Sequence, residues 1–273
     1  FVAMGSEGRE EQTLKTDQDN AIIYEDPPSN RKTEVADYFQ IMGEKVCAAL
    51  DEAGYAYCQG DIMARNPKWN QPLKQWKDTF TKWILEPDNE ELLKFNIVFD
   101  FRTVYGDTSL TNDLRQHIHA VLQNNPPFFQ HMARNMLLYK PPIGLFGQIV
   151  TGAGGAAPDT FNIKDAALPI VNFARLYALN HQIDETNTID RINQLRNIQV
   201  LRDDNHRELS QAYGCLMQLR YKNQLTDIQE GRKPSNSINP KTLSQIEAGM
   251  LKQALSQISM IQKKVSFDYT GSG

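Results

Sequence analysis

The chain opens on four apolar residues, Phe1, Val2, Ala3 and Met4, then turns polar from Gly5 to Thr16. From there Asp17, Gln18, Asp19 and Asn20 lead into Ala21, Ile22, Ile23 and Tyr24. That order predicts strand, loop, strand over residues 1–26. Val35, Tyr38, Phe39, Met42, Val46, Ala49 and Leu50 then recur at helical spacing, with Gly54 where a C-terminal cap belongs, which predicts a helix over residues 34–53. Pro72 opens a second helix over residues 71–84, whose stripe of Leu73, Trp76, Phe80, Trp83 and Ile84 reads as core. Between Phe95 and Tyr105 the period changes to two. Phe95, Ile97, Phe99 and Phe101 fall on one side and Asn96, Val98, Asp100 and Arg102 on the other, so the pattern predicts a strand with an acid on its non-aromatic face. Leu110, Leu114, Ile118 and Val121 mark a further helix.

Beyond Pro141 and Pro142 comes the run Gly152, Ala153, Gly154, Gly155, Ala156, Ala157, Pro158, which reads as a linker. Gly152, Gly154 and Ala157 satisfy GxGxxA, but Pro158, Asp159 and Thr160 follow where a dinucleotide turn would open directly into a helix. Past the linker the segments are helical, among them Leu168 to Ala178, Leu209 to Leu219, and the stripe Ile246, Met250, Ala254, Leu255, Ile258 and Ile261. The expected fold is α+β. A core at residues 1–150, with a small mixed sheet flanked by helices, is followed by a linker at 151–160 and an antiparallel helical bundle at 161–270.

Composition narrows the function. With 273 residues there is room for two domains, and 29 basic against 33 acidic side chains give a net charge of −4, so bulk nucleic-acid binding is not expected. Cys47, Cys58 and Cys215 show no CxxC spacing, and a reducing cytoplasm is the default setting. No apolar run reaches the roughly 18 residues of a membrane span, so no membrane partner is expected. The first residue is Phe1 inside a strand-like run, as expected of a piece of a longer protein. His117, His119, His131, His181 and His206 form no HExxH, and Lys68, Lys74, Lys77 and Lys82 near Trp69 and Trp76 read as a solvated helix face.

The chemistry sits between the first two strands. Asp17 and Asp19 are two residues apart in an extended segment, so the pleat turns both carboxylates to one face, where they repel unless a cation stands between them. Carboxylate oxygens of this kind suit Mg²⁺, or Mn²⁺ in its place, and Asp100 can supply a third acid. Upstream, Gly5 and Ser6 begin a small-residue turn whose backbone N–H groups can approach phosphate oxygens, with the Ser6 hydroxyl and the Arg9 guanidinium as added donors.

Gly5 and Ser6, a gap of ten, then Asp17, Gln18 and Asp19 resemble the signature of the DNA polymerase beta-like nucleotidyltransferase superfamily. More narrowly, residues 5–24 resemble the nucleotidyltransferase domain fused to cyclic-nucleotide-binding and CBS domains, which is similar to PII uridylyltransferase. The likeness continues through Met63 to Trp69, Phe99 to Asp107, Gly144 to Gly147 and Pro169 to Leu176. It implies Asp17 and Asp19 as metal ligands, Asp100 as the third acid, Gly5 and Ser6 as the phosphate turn, and the helical half as a substrate-binding domain. It further implies an NTP substrate, a hydroxyl acceptor such as one on a protein, and regulatory domains upstream. Two alternatives stand beside it: a regulatory module that binds nucleotide without turnover, and a homo-oligomer built through the helical half. Arg175, on the first helix after the linker, is the side chain expected to reach phosphates or acceptor.

Overall fold

β1 (Val2–Ala3) is antiparallel to a neighbour on each side, which makes it central in the first sheet. Val2 faces Ala21 of β3 (Asn20–Tyr24) and Thr103 of β6 (Arg102–Thr103), while Ala3 faces Asn20 and Arg102. β3 is in turn parallel to β5 (Asn70–Pro72), giving the order β5-β3-β1-β6. A second, two-stranded sheet pairs β2 (Asp17–Gln18) in parallel with β4 (Ala56–Tyr57). The sequence predicts one strand through Asp17 to Tyr24, and the structure changes partner at Asp19 instead. α1 (Gly5–Gly8) is a single helical turn inside the predicted loop.

The computed structural model describes residues 1–87, 96–144, 148–152, 155 and 157–271. It divides into two units, Phe1–Gln12 with Thr16–Phe128, and Thr13–Lys15 with Phe129–Gly273.

In the first unit α2 (Lys32–Glu52) follows the predicted helix closely, and its Val35, Phe39, Met42 and Cys47 pack on Ile22, Tyr24, Met63 and Ala64. α3 (Leu73–Leu85) also matches its prediction and buries Trp76, Phe80, Trp83 and Ile84. Phe80 meets Phe99 edge to face at 5.1 Å and Trp83 at 5.5 Å, and the Trp76 indole N–H donates to Ile22 O at 3.1 Å.

The strand predicted from Phe95 to Tyr105 is corrected. Phe95 lies outside the described residues, residues 96–98 form a short helical stretch (α4), and only Arg102 and Thr103 enter the sheet. Val98, Phe99, Asp100 and Phe101 are all buried, so the segment packs on every side and its alternation does not divide core from solvent. α5 (Thr108–Gln123), started by the Asp107 carboxylate accepting from Ser109 N–H at 2.8 Å, then packs on α3.

The division between units falls in α6 (Pro127–Leu138), not at the glycine-rich run. Gly152 takes a left-handed turn (φ 89°) and donates its N–H to Thr160 O at 2.8 Å, so there glycine serves a local turn. The second unit holds α7 (Ile163–Asn180), α8 (Thr188–Asn197), α9 (Asp203–Gln229) and α10 (Gln245–Val265), with α7 packing on the other three. A short antiparallel pair, β7 (Phe161–Asn162) with β8 (Ser237–Ile238), interrupts the all-helical arrangement that the sequence suggests.

Two glycines give opposite expectations. A Cβ at Gly43 of α2 would overlap the Ala64 carbonyl, so Gly43→Ala should lower unfolding free energy by about 1–3 kcal/mol through overpacking. A Cβ at Gly249, exposed within α10, would meet nothing within 4 Å, so Gly249→Ala should gain up to about 1 kcal/mol from helix propensity. Urea unfolding of the two variants beside the parent checks both signs.

Candidate active site

Gly5 enters α1 with φ 58°, in the left-handed region that favours glycine, and a Cβ built there would lie only 2.8 Å from Asp19 Oδ2. The missing side chain therefore serves both the turn and the close approach of the carboxylate. Met4 N–H donates to Asp19 O at 2.8 Å, which fixes this acid beside the end of β1. The other contribution comes from β2 and β4. Their parallel register sets Asp17 opposite Ala56 and Gln18 opposite Tyr57, and one step further Cys58 comes to Asp19. One ligand atom from each of Asp17, Asp19 and Cys58 lies within 4.8 Å of the others, and all three residues are partly buried.

The thiol is a member that the sequence reading did not single out, because a parallel pairing between strands nearly forty residues apart leaves no local pattern. Burial, with the Asp19 carboxylate beside it, pushes the Cys58 thiol up to about 11. Near neutral pH it stays protonated.

Glu7, inside α1, was also missed. Its carboxyl is raised above the usual range, mainly by burial. Arg102 opposes that shift and Asp19 adds to it. The Gln12 amide donates to Glu7 Oε2 and to Asp17 O, each at 3.4 Å, and so spans the turn and the acid strand. The only local sign of Glu7 was its place within the Gly5–Arg9 turn.

Asp100 is placed differently from Asp17 and Asp19. It is 0% exposed and does not belong to the 4.8 Å group. The two acids meet different ends of α1: Asp19 lies against Gly5, and the Asp100 carbonyl lies against Gly8. The Asp100 Oδ2 accepts from Arg9 Nη1 at 2.8 Å, and Arg9 Nε donates to Glu11 Oε2 at 2.7 Å. Burial would lower the Arg9 guanidinium, but these two carboxylates outweigh it and hold it above its ordinary value. Gly5 thus lies beside Asp19, whereas Arg9, predicted to donate to phosphate, is bonded to Asp100 and Glu11.

Arg175 does not extend to a surface. It is 1% exposed within the second unit and its Nη1 donates to Asn172 Oδ1 at 2.7 Å, since α7 is buried on nearly all sides. Lys77 pairs with Asp113 at 2.8 Å while Trp69 and Trp76 are buried, in keeping with a core stripe and a solvated face. Among the described residues no helix is long and apolar enough to cross a membrane.

No curated protein matches the chain. Residues 1–90 match the family described as "Putative nucleotidyltransferase DUF294", and residues 126–269 match "Putative nucleotidyltransferase substrate binding domain". With a glycine turn set against a carboxylate pair in its first part and the substrate-binding match across more than half its length, the chain belongs to this nucleotidyltransferase family.

Proposed function

We propose that the protein moves a nucleoside monophosphate from a Mg²⁺-bound NTP to a hydroxyl acceptor, in the manner of PII uridylyltransferase and with a protein hydroxyl as the acceptor class. The observation that carries this reading is the approach of Asp17 and Asp19 to each other at the edge of the Gly5 turn. The donor set fits a hard divalent ion in that two carboxylates supply oxygen ligands at the turn. When bound, Mg²⁺ would neutralise phosphate charge and favour departure of pyrophosphate.

The chain's own groups do the rest by position. Asp17 and Asp19 would hold the ion, and the small turn at Gly5 and Ser6 would present backbone N–H groups and a hydroxyl to the phosphate oxygens. The acceptor oxygen forms a bond to the α phosphorus as the bond to the pyrophosphate oxygen breaks, and the hydroxyl proton leaves to water. No covalent enzyme intermediate is needed. A second reading, nucleotide binding without turnover in a regulatory module, is favoured by one observation, namely that Asp100 stands outside the group formed by Asp17, Asp19 and Cys58.

Incubating the protein with each labelled NTP, Mg²⁺ and a cell lysate tests the choice. A labelled product that EDTA abolishes supports transfer, and binding with no product supports the second reading. Asp19→Asn keeps shape and removes charge, so Mg²⁺-dependent turnover should fall about a hundredfold or more with the melting temperature little changed. Unaltered turnover would remove Asp19 from the site. Gly5→Val should weaken triphosphate binding far more than nucleoside binding, because the added branch occupies the space beside Asp19 Oδ2. Equal losses for both ligands, measured by calorimetry, would give the turn a folding role only.

A further inference from the structure

Asp100 carries a carboxylate at the end of the sheet where the acid pair lies, yet it is fully buried and bonded to Arg9. We infer that Arg9, Asp100 and Glu11 form a buried clamp that positions the phosphate turn, with Asp100 a positioning residue and not a third metal ligand. This rests on reading the Gly5–Gly8 turn as the phosphate site.

Three sets of contacts carry it. One planar guanidinium bonds both acids, Nη1 to Asp100 at 2.8 Å and Nε to Glu11 at 2.7 Å, so the two carboxylates are held in a fixed relation. The intervening Glu10 has φ 58°, an uncommon conformation for a residue with a side chain, and the bonds on either side of it hold the chain in that bend. Next, Gly8 lies so close to the Asp100 carbonyl that a Cβ there would overlap it. Finally, Arg102 reaches back to the same turn, donating from Nη2 to Glu7 O at 3.2 Å and pairing through Nε with Glu10 Oε1 at 3.4 Å.

The geometry has a mechanical consequence. α1 rests at its Gly5 end on the Asp19 carboxylate and at its Gly8 end on the Asp100 backbone. The clamp therefore sets how far the turn stands from the acid pair. A phosphate chain bridging turn and metal needs that separation held constant, which an open loop of small residues would not do unaided.

The test uses the full chain and the variants Arg9→Met, Asp100→Asn and their combination, with Arg9→Lys as a milder change that keeps the charge but cannot bond both acids in one plane. Amide exchange by mass spectrometry, with no nucleotide present, reads the turn directly. Exchange over residues 4–11 should rise about tenfold or more in each variant while that of α2 holds, and the double variant should be no worse than the worse single. Mn²⁺ affinity, followed by electron paramagnetic resonance, should stay within about twofold in Asp100→Asn, and NTP affinity should weaken about tenfold in the same variants. A large loss of Mn²⁺ affinity in Asp100→Asn, additive effects in the double variant, or an unaltered turn in folded Arg9→Lys would each overturn the clamp. A parent protein that shows the clamp by exchange but binds no NTP would instead overturn the reading of the turn as a phosphate site.

Discussion

A guanidinium enclosed between two carboxylates ties together the parts of the first unit that local sequence leaves independent. Arg9 is drawn out of water against a desolvation cost of several kcal/mol per ion, and Asp100 and Glu11 offset that cost only because both lie within hydrogen-bond distance. Removing one partner of such a buried pair typically costs about 3–5 kcal/mol, since the remaining charge is stranded. The arrangement joins the turn after β1 to the segment before β6. Gly8 and Arg102 reinforce the same junction by close approach and by hydrogen bonds.

On the other side of β1 the constraint is electrostatic repulsion. Asp17 and Asp19 are brought near each other and near Cys58 by β2, β3 and β4, with no cationic side chain among the three. The arginine that could have neutralised them, Arg9, is occupied elsewhere. The fold thus separates its acids into one set held on an arginine and one set grouped with a thiol. That separation follows the length of α1, with Asp19 at its Gly5 end and Asp100 at its Gly8 end.

The second unit solves a different problem. Its central helix α7 is surrounded by α8, α9 and α10 and buries Asn172 and Arg175 along with its apolar side chains. Polar groups so placed require partners, and the bond from Arg175 to Asn172, one turn away on the same helix, is one of them. Asn172 and Arg175 thus belong to the internal packing of the helix, while its exposed polar side chains, Lys164, Asp165 and Asn180, stand near its two ends.

By itself the sequence determined α2, α3 and α5, the helical character of the second half, the glycine turn and the spacing of the acid pair. Each of these is encoded within a few residues: the period of Trp76, Phe80 and Trp83, the backbone freedom of Gly5, the spacing of Asp17 and Asp19. The tertiary structure decided everything that depends on strand partners and depth. It set Cys58 beside Asp19 through a parallel pairing, and it buried residues 98–101 so completely that their alternation no longer marked a strand. It also placed Arg9 on Asp100 across 91 positions of chain, and Arg175 in the core. Periodicity reports which side of an element is apolar, whereas partnership and burial arise from contacts between elements remote in sequence, where register and desolvation determine which polar groups meet.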